Sequence, residues 1–378
     1  VSGPGRAGPL TVALVCPYSL SRPGGVQGQV VGLARSLEAR GHRAVVFAPV
    51  DAAGDAPAGC ELVATGRSVA LPANGSLAPV SLSPAAARRG LGALRRLGPD
   101  VVHLHEPFAP GLTYAVLAAH DPPPLVGTFH RSGGSTLYRL LGPLARRMAA
   151  RIDLRCAVSE AAAATARHAL GGTYDILFNG VEDDRYDVTP WPTDGPTVLF
   201  LGRHEERKGL AVLLEAWDRV VAASGGGPAP RLWVAGDGPA TAALRDRYPD
   251  GPSRTWLGVL SEEEKDRRLV AADALAAPAL GGESFGLVLL EGMAARTVVV
   301  ASDIDGYRDA AGGCAVLVPP ADPEALAAAL AGVLDGTVAA DRADWLDRGA
   351  ERAAGWSMDA LAERYEDRYR TLVVGDRP

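Results

Sequence analysis

One recurring pattern constrains this chain more than any other. Short apolar, β-branched runs lie at residues 11–16, 43–48, 100–106, 125–130, 176–182, 197–203, 231–235, 256–260, 274–278, 298–302 and 315–318. Several run directly into a glycine-rich or charged loop and then into a helical stretch. Runs of this length that are apolar throughout read as strands buried on both faces. Strand, loop, helix, strand in succession is a βαβ plan, which builds a parallel sheet with crossover helices. The plan occurs in both halves of a 378-residue chain, which is too long for one typical core and suits two domains. A Pro-, Asp- and Thr-rich stretch at 186–196 reads as the linker. The expected domains are therefore 1–187 and 188–356, with an amphipathic helix at 357–378 crossing back to the first.

Parallel sheets place ligands at the carboxyl ends of their strands, so the loops there carry the functional signal. The richest is Gly281-Gly282-Glu283-Ser284-Phe285-Gly286, followed by an apolar run through Glu291. A helix starting near Ser284 would set Glu283 and Glu291, just over two turns apart, roughly on one side. Its first N–H groups lack intrahelical partners and suit an anion, phosphate above all. A buried helix with a polar cap has the same local pattern without a ligand. On the loop after the 197–203 run, Arg203 and Lys208 are two cations placed to meet a diphosphate. The chain has only two lysines, Lys208 and Lys265, and both lie in the second half. Ser261 and the three glutamates after it read as the cap of the helix that carries Lys265.

In the first half, Pro23-Gly24-Gly25-Val26-Gln27 joins a strand to a helix. It is either a tight βα loop or a place where backbone approaches a ligand. The G-x-G-x-x-G dinucleotide fingerprint is absent. His105, Glu106 and His130 fall at strand ends, and His105 and Glu106 are expected on opposite strand faces. No metal site follows from these residues. Ser159 is placed to cap the alanine-rich helix after it. The helix near 84–97 gathers Arg88, Arg89, Arg95 and Arg96 within about a third of its circumference. A second arginine-rich helix is expected at 137–152.

Residues 1–188 hold 18 Lys+Arg against 14 Asp+Glu, so the first half is basic within a chain of net charge −6. No apolar run approaches the length of a bilayer span, and the start lacks the plan of a signal peptide. The four cysteines are far apart, with no zinc or redox spacing. The expectation is a cytoplasmic protein with reduced thiols and no nucleic-acid partner. Oligomeric state is not readable.

Taken together, Pro23-Gly24-Gly25-Val26-Gln27, Asn179-Gly180-Val181, Gly202-Arg203 with Lys208-Gly209, Gly236-Asp237-Gly238 and Gly281 through Glu291 resemble the retaining glycosyltransferases of family 4. Within that family the chain is most similar to the actinobacterial phosphatidylinositol mannosyltransferases. That likeness rests on Cys16-Pro17-Tyr18-Ser19, Asn74-Gly75-Ser76, His103-Leu104-His105-Glu106-Pro107, Thr128-Phe129-His130, Gly281 to Gly286, and Ala301-Ser302-Asp303 followed by Asp305. The resemblance implies an α/β chain of the GT-B fold, two Rossmann-like domains with parallel sheets facing a central cleft.

It also implies roles. Arg203 and Lys208 would hold the donor diphosphate, approached by the Gly25 backbone, with Ser284, Phe285 and Gly286 around it. Glu291 would bind the ribose and Glu283 the transferred sugar. Glu262 and Lys265 would lie near the base. His130, Gln27, Tyr18 and Arg131 would line the acceptor pocket, and His130, Glu283, Arg203 and Lys208 would carry catalysis. The donor expected is a nucleotide sugar, GDP-mannose before UDP-sugars, used as co-substrate with no cofactor and no metal. The acceptor expected is an inositol-phosphate lipid reached at an anionic membrane surface, the enzyme sitting peripherally at the inner face of the plasma membrane. A soluble cyclitol acceptor with a UDP-sugar, or a nucleotide-sugar-binding protein without turnover, are the alternatives. The chain departs from the family pattern at Phe178, Glu182 and Arg296, and in a loop 202–208 one residue shorter. Arg296 stands where a helix-ending glycine is usual, at a cost of about 1 kcal/mol.

Overall fold

The computed structural model describes residues 8–22, 24–52, 54, 59–73, 76–131, 136–224, 228–283, 285–338 and 341–374. The chain divides into two compact units, Val1–Gly180 with Met358–Pro378, and Val181–Ser357.

Unit 1 is built from β1 (Thr11–Val15), α1 (Gly25–Ala39), β2 (Arg43–Ala48), β3 (Glu61–Ala64), a hairpin of β4 (Val69–Ala73) and β5 (Ser76–Val80), α2 (Pro84–Leu97), β6 (Val101–His105) and α3 (Leu112–Ala118). It continues through β7 (Leu125–Phe129), α4 (Thr136–Ala149), β8 (Leu154–Ala157), α5 (Glu160–Leu170) and β9 (Asp175–Ile176). The sheet order is β3-β2-β1-β6-β7-β8-β9, with every pair parallel. β1, β6 and β7 are buried almost throughout, as strands covered on both faces should be. Phe47, Leu104, Phe108 and Phe129 anchor the core.

Unit 2 follows with β10 (Thr197–Leu201), α6 (Leu210–Ala223), β11 (Arg231–Ala235), α7 (Thr241–Arg247), β12 (Arg254–Gly258), α8 (Glu262–Ala271) and β13 (Ala274–Ala277). It closes with α9 (Leu287–Ala294), β14 (Val298–Ser302), α10 (Asp305–Ala311), β15 (Val316–Val318), α11 (Pro323–Leu334) and α12 (Arg342–Ala354). Its sheet order is β12-β11-β10-β13-β14-β15, again all parallel. Trp217, fully buried on α6, packs there with Val198, Phe200, Leu232 and Leu326. The final helix, α13 (Met358–Val374), belongs to unit 1 and buries Leu361, Tyr365 and Tyr369, the face its periodicity indicates.

Several boundaries differ from the sequence reading. The units divide at Gly180 and Val181, not at 187 and 188. The stretch read as the linker is docked on unit 2: the Trp191 N–H donates to the Arg267 carbonyl on α8 at 2.9 Å, and Arg185, just before the stretch, pairs with Glu262 at 2.7 Å and Asp266 at 2.8 Å, both also on α8. The 176–182 run is not a strand beyond Ile176: β8 pairs with it through Ala157, and further on Val181 makes an isolated bridge to Ser357. β6 ends at His105, and Glu106 turns out of the strand at φ 47. α4 is interrupted at Gly142, which has non-helical angles. The Ser159 and Ser261 caps form as read, accepting from the N–H groups of Ala162 and Glu264.

Candidate functional site

In each sheet the strand order reverses once, between β1 and β6 in unit 1 and between β10 and β13 in unit 2. Open parallel sheets bind ligands outside the carboxyl ends of the strands at this switch point.

In unit 2 the loop after β10 passes through a turn of 3-10 helix, Glu206–Lys208, and enters α6 at Gly209. Gly209 has φ 69, and a Cβ there would come within 1.8 Å of the Pro278 carbonyl oxygen. Only glycine lets this loop lie on the one after β13. The Leu280 N–H donates to the Arg207 carbonyl at 2.8 Å and closes the same seam. Gly236, φ 117, does the equivalent for the loop after β11, where a Cβ would meet the Gly202 oxygen at 1.9 Å.

The seam carries a ladder of alternating charge. Arg203 Nε lies 3.0 Å from Glu205 Oε1, and Arg207 Nε lies 3.0 Å from Glu205 Oε2. Arg207 Nη1 then reaches Glu283 Oε1 at 2.5 Å, and Lys208 Nζ reaches the same oxygen at 2.8 Å. Glu205 Oε1 has no aligned hydrogen bond, so its contact with Arg203 is one of charge alone. Glu205 and Glu283 are mostly buried, while Arg203 is half exposed. Within this ladder three cations alternate with two carboxylates, a row of fixed positive groups suited to a polyanion.

A second cluster lies along α8 and α9. Lys265 Nζ sits 2.8 Å from Glu262 and 3.2 Å from Glu291. Burial pushes the Lys265 ammonium down, but the Glu291 and Glu262 carboxylates outweigh it and raise it. Arg185 also pairs with Glu262, and burial, then the Glu291 charge, raises the phenol of the partly buried Tyr186.

Of the residues read from sequence in unit 2, the structure brings Glu283 together with Lys208, and Glu291 together with Lys265 and Glu262. It does not set the two glutamates on one helix side. α9 begins at Leu287, after Gly286 at φ 88, so Glu283 lies before the helix. The start of α9 has no side-chain cap. Gly286 is required there, since a Cβ would stand 2.7 Å from the Tyr307 ring. Phe285 is buried with its ring against Trp356 and offers the site its backbone alone. Ser284 lies outside the described residues. Sequence reasoning missed Arg207, Glu205 and Arg185. Arg207 adjoins Lys208 and could have been read with it, whereas nothing local marks Arg185.

In unit 1 the loops after β1, β6 and β7 converge. Gly25 opens α1, whose cap residue, Gly24, supplies no side chain. Gln27 is buried, and its amide donates to the carbonyls of Ser19 and Arg22. What the structure shows for it is a brace of the loop leading into α1. Glu106 does not oppose His105 across a strand. From its left-handed position its carboxylate accepts the His130 N–H at 2.6 Å. Burial lifts that carboxyl to about 7, against the pull of the His130 and Arg131 N–H groups and the Arg131 charge. Tyr18 lies near it, its phenol raised by burial and then by the Glu106 charge. His105 Nδ1 stands 3.0 Å from His130 Nε2, a contact the sequence reading did not foresee. Burial lowers His130 to about 4, so the ring is neutral at ordinary pH.

Among the described residues, no group of three or more side chains is arranged to hold a metal ion, no helix is long and apolar enough to cross a membrane, and all four cysteines are free.

Comparison with known proteins extends this picture. The family model described as "Glycosyltransferase Family 4" matches residues 23–185, and "Glycosyl transferases group 1" matches residues 195–336. A phosphatidyl-myo-inositol mannosyltransferase of Mycolicibacterium smegmatis is 37% identical over 373 residues, 96% of this chain and 94% of the relative. The protein of that name from Propionibacterium freudenreichii is 36% identical over 79% of each chain. Among solved structures, a glycosyltransferase of Rickettsia africae superposes with TM-score 0.74 at 16% identity, covering 97% of this chain and all of that one. Anabaena HepE in complex with UDP gives 0.72 at 18% identity, covering 96% of this chain and all of that one. The two structures establish the fold, two Rossmann-like halves of the GT-B type.

Proposed function

Because this chain belongs to glycosyltransferase family 4 and is a glycosyltransferase, we propose that it moves a mannosyl group from GDP-mannose to the inositol ring of a phosphatidylinositol lipid. The anomeric configuration is retained and no metal ion takes part. The observation that carries this reading is the charge ladder at the switch point of unit 2. Lys208, Arg207 and Arg203 are fixed on one short loop by Glu283 and Glu205, and a diphosphate would pair with them. Fixed cations aimed at a leaving diphosphate stabilise the charge that develops as the sugar departs. No side chain need then form a covalent bond, and positioning carries much of the rate.

In this reading Glu283 holds the transferred sugar, and Glu291 the ribose. Glu262 and Lys265 lie by the base. Tyr18, His130 and Arg131 receive the inositol phosphate. The lipid is reached from an anionic membrane face, and the enzyme is peripheral there. Arg88, Arg89, Arg95 and Arg96 are all exposed on α2, on the side away from its buried Ala86, Gly90 and Leu94. Among the described residues they form no ion pair. Each basic residue near an anionic bilayer contributes roughly 1 kcal/mol, so four support reversible attachment without a span.

The test is turnover of GDP-mannose and UDP-glucose with vesicles of phosphatidylinositol in phosphatidylcholine, with neutral vesicles, and with free inositol phosphate, each with and without a chelator. We expect mannosyl transfer to the phosphatidylinositol vesicles alone, unchanged by chelation. Preference for UDP-glucose, equal transfer to the free inositol phosphate, or loss of activity on chelation restored by magnesium would each overturn the corresponding part.

A further inference from the structure

We propose that His105 is a positioning residue for His130, holding its ring plane and its tautomer through a stack of three histidines seated on α13. The proposal rests on the reading of His130 as an acceptor-side residue.

The stack follows from strand geometry. His103 and His105 are two apart on β6 and so point to the same face, with ring centroids 4.2 Å apart at 27°. β7 is the neighbouring strand, with Thr128 in register with His105. His130, just past its end, brings its ring to 5.3 Å from that of His105, again at 27°. The deep end is fixed. His103 Nδ1 is 2.7 Å from the Tyr369 hydroxyl, and its Nε2 is 2.7 Å from Thr128 Oγ1. Thr128 in turn meets the Tyr365 hydroxyl at 2.8 Å. Both tyrosines are on α13. At the outer end the Glu106 carboxylate holds the His130 backbone. Between these anchors, the 3.0 Å contact from His105 Nδ1 to His130 Nε2 sets the outer ring.

That contact accommodates one proton, so one nitrogen donates and the other accepts. Burial depresses all three histidines, His103 to about 3 and His130 to about 4, so neutral tautomers are in play. The Asn179 side chain supports an N–H of His130. If that is Nδ1–H, then Nε2 is the acceptor and His105 donates its own Nδ1–H. His105 Nε2 is then a bare lone pair. It is buried with no protein partner, and His105 lines a small cavity with Gln29, Thr128, Asn179 and Tyr365 that has room for about one water to donate to it. In this arrangement Nδ1–H of His130 is held by the Asn179 side chain and Nε2 by His105, so both ring nitrogens are committed and the ring plane presented on the acceptor side is set. Losing His105 leaves His130 Nε2 unpaired and its tautomer unset, as when an outer partner that orients a ligating histidine is removed.

The test uses the full chain labelled with 15N-histidine. Two-bond 15N–1H spectra report the tautomer of each ring, and His130→Asn assigns the signal. Wild type should show His130 as the Nδ1–H form. His105→Phe, which keeps a ring and loses the donor, should show mixed tautomers and a kcat lower by about 10–100-fold, with KM for GDP-mannose unchanged. His105→Asn, whose amide sits where Nδ1 was, should recover most of both. If His105→Phe does not fold, His105→Gln replaces it, since its amide reaches the Nε2 position and leaves the Nδ1 position empty. A single unchanged tautomer in the donor-less variant overturns the proposal, as does an altered tautomer with wild-type kcat. His130→Asn separates the two claims. Wild-type turnover in that variant removes the acceptor-side reading of His130 and the proposal with it. Loss of turnover there, with His105→Phe or His105→Gln at the wild-type rate, removes the proposal alone.

Discussion

Arg296 follows α9 with φ 58, a left-handed backbone that glycine adopts freely and arginine does not. Replacing it by glycine should stabilise unit 2, by an amount that can be worked out in parts. Relief of the left-handed strain is worth about 1–2 kcal/mol. The added freedom of glycine in the unfolded chain takes back about 0.5 kcal/mol. The substitution also removes the ion pair between Arg296 and Asp347 at 2.6 Å, whose side chains are 52% and 60% exposed. Such a pair contributes about 0.5 kcal/mol at most. The net gain for Arg296→Gly is therefore about 0.5 kcal/mol. In an Asp347→Ala background no pair remains to lose, and the gain should rise to about 1 kcal/mol. Urea unfolding of the four members of this cycle, read from the midpoint at unchanged slope, measures both figures. A loss of stability on placing glycine in the Asp347→Ala background would refute the assignment of strain to this residue.

Other consequences follow from the sites in the two units. The Glu106 carboxyl is raised in the folded state from about 4.5 to about 7, chiefly by burial. Its contribution to stability is therefore fully present below about pH 4.5 and is lost as pH rises through 7. Glu106→Gln should flatten the urea midpoint of unit 1 across that window, and an unchanged slope with pH would count against the buried carboxyl. Lys208→Met should raise the KM for GDP-mannose by about 10–100-fold, the worth of a charge-assisted contact, and a KM within twofold of wild type would remove Lys208 from the diphosphate site. Glu283→Gln should lower kcat while leaving GDP binding by calorimetry intact. A loss of GDP affinity equal to that of Lys208→Met would make Glu283 a support for the cations and not a sugar ligand.

Much of this was legible because strand, loop and helix each leave a local mark. The parallel strands at the centre of each sheet are mostly apolar, with His103 and His105 the exceptions on β6, and Ser159 and Ser261 stand one residue before the helices they cap. The buried face of α13 is written in the spacing of Leu361, Tyr365 and Tyr369. Helix starts leave a weaker mark. Apolarity suggested a helix from about Ser284, but the left-handed angle at Gly286 delays it to Leu287. β4 and β5 contain Pro72 and Pro79, which argue against strands in sequence and are tolerated in a two-stranded hairpin with open edges. Contacts between strands and across loops left no mark. The pairing of His105 with His130 depends on the register of β6 against β7. The pairing of Arg185 with α8 depends on where the turn before a proline-rich stretch docks.

Unit 1 is discontinuous in sequence, and this bears on how the chain is made. Its sheet is complete by Ile176, yet α13, which packs on α1, comes from residues after 357. Tyr369 and Tyr365, which close over His103 and Thr128, and Glu366, which pairs with Arg40 at 2.9 Å, all arrive late. A ribosome must first translate residues 181–357, which takes roughly 10–30 s at ~5–20 residues per second. Unit 2, continuous in the chain, can complete its core during that interval. The faces of His103, Thr128 and α1 meanwhile wait uncovered, in the compartment where chaperones bind nascent chains. The half translated first is thus the half that finishes folding last.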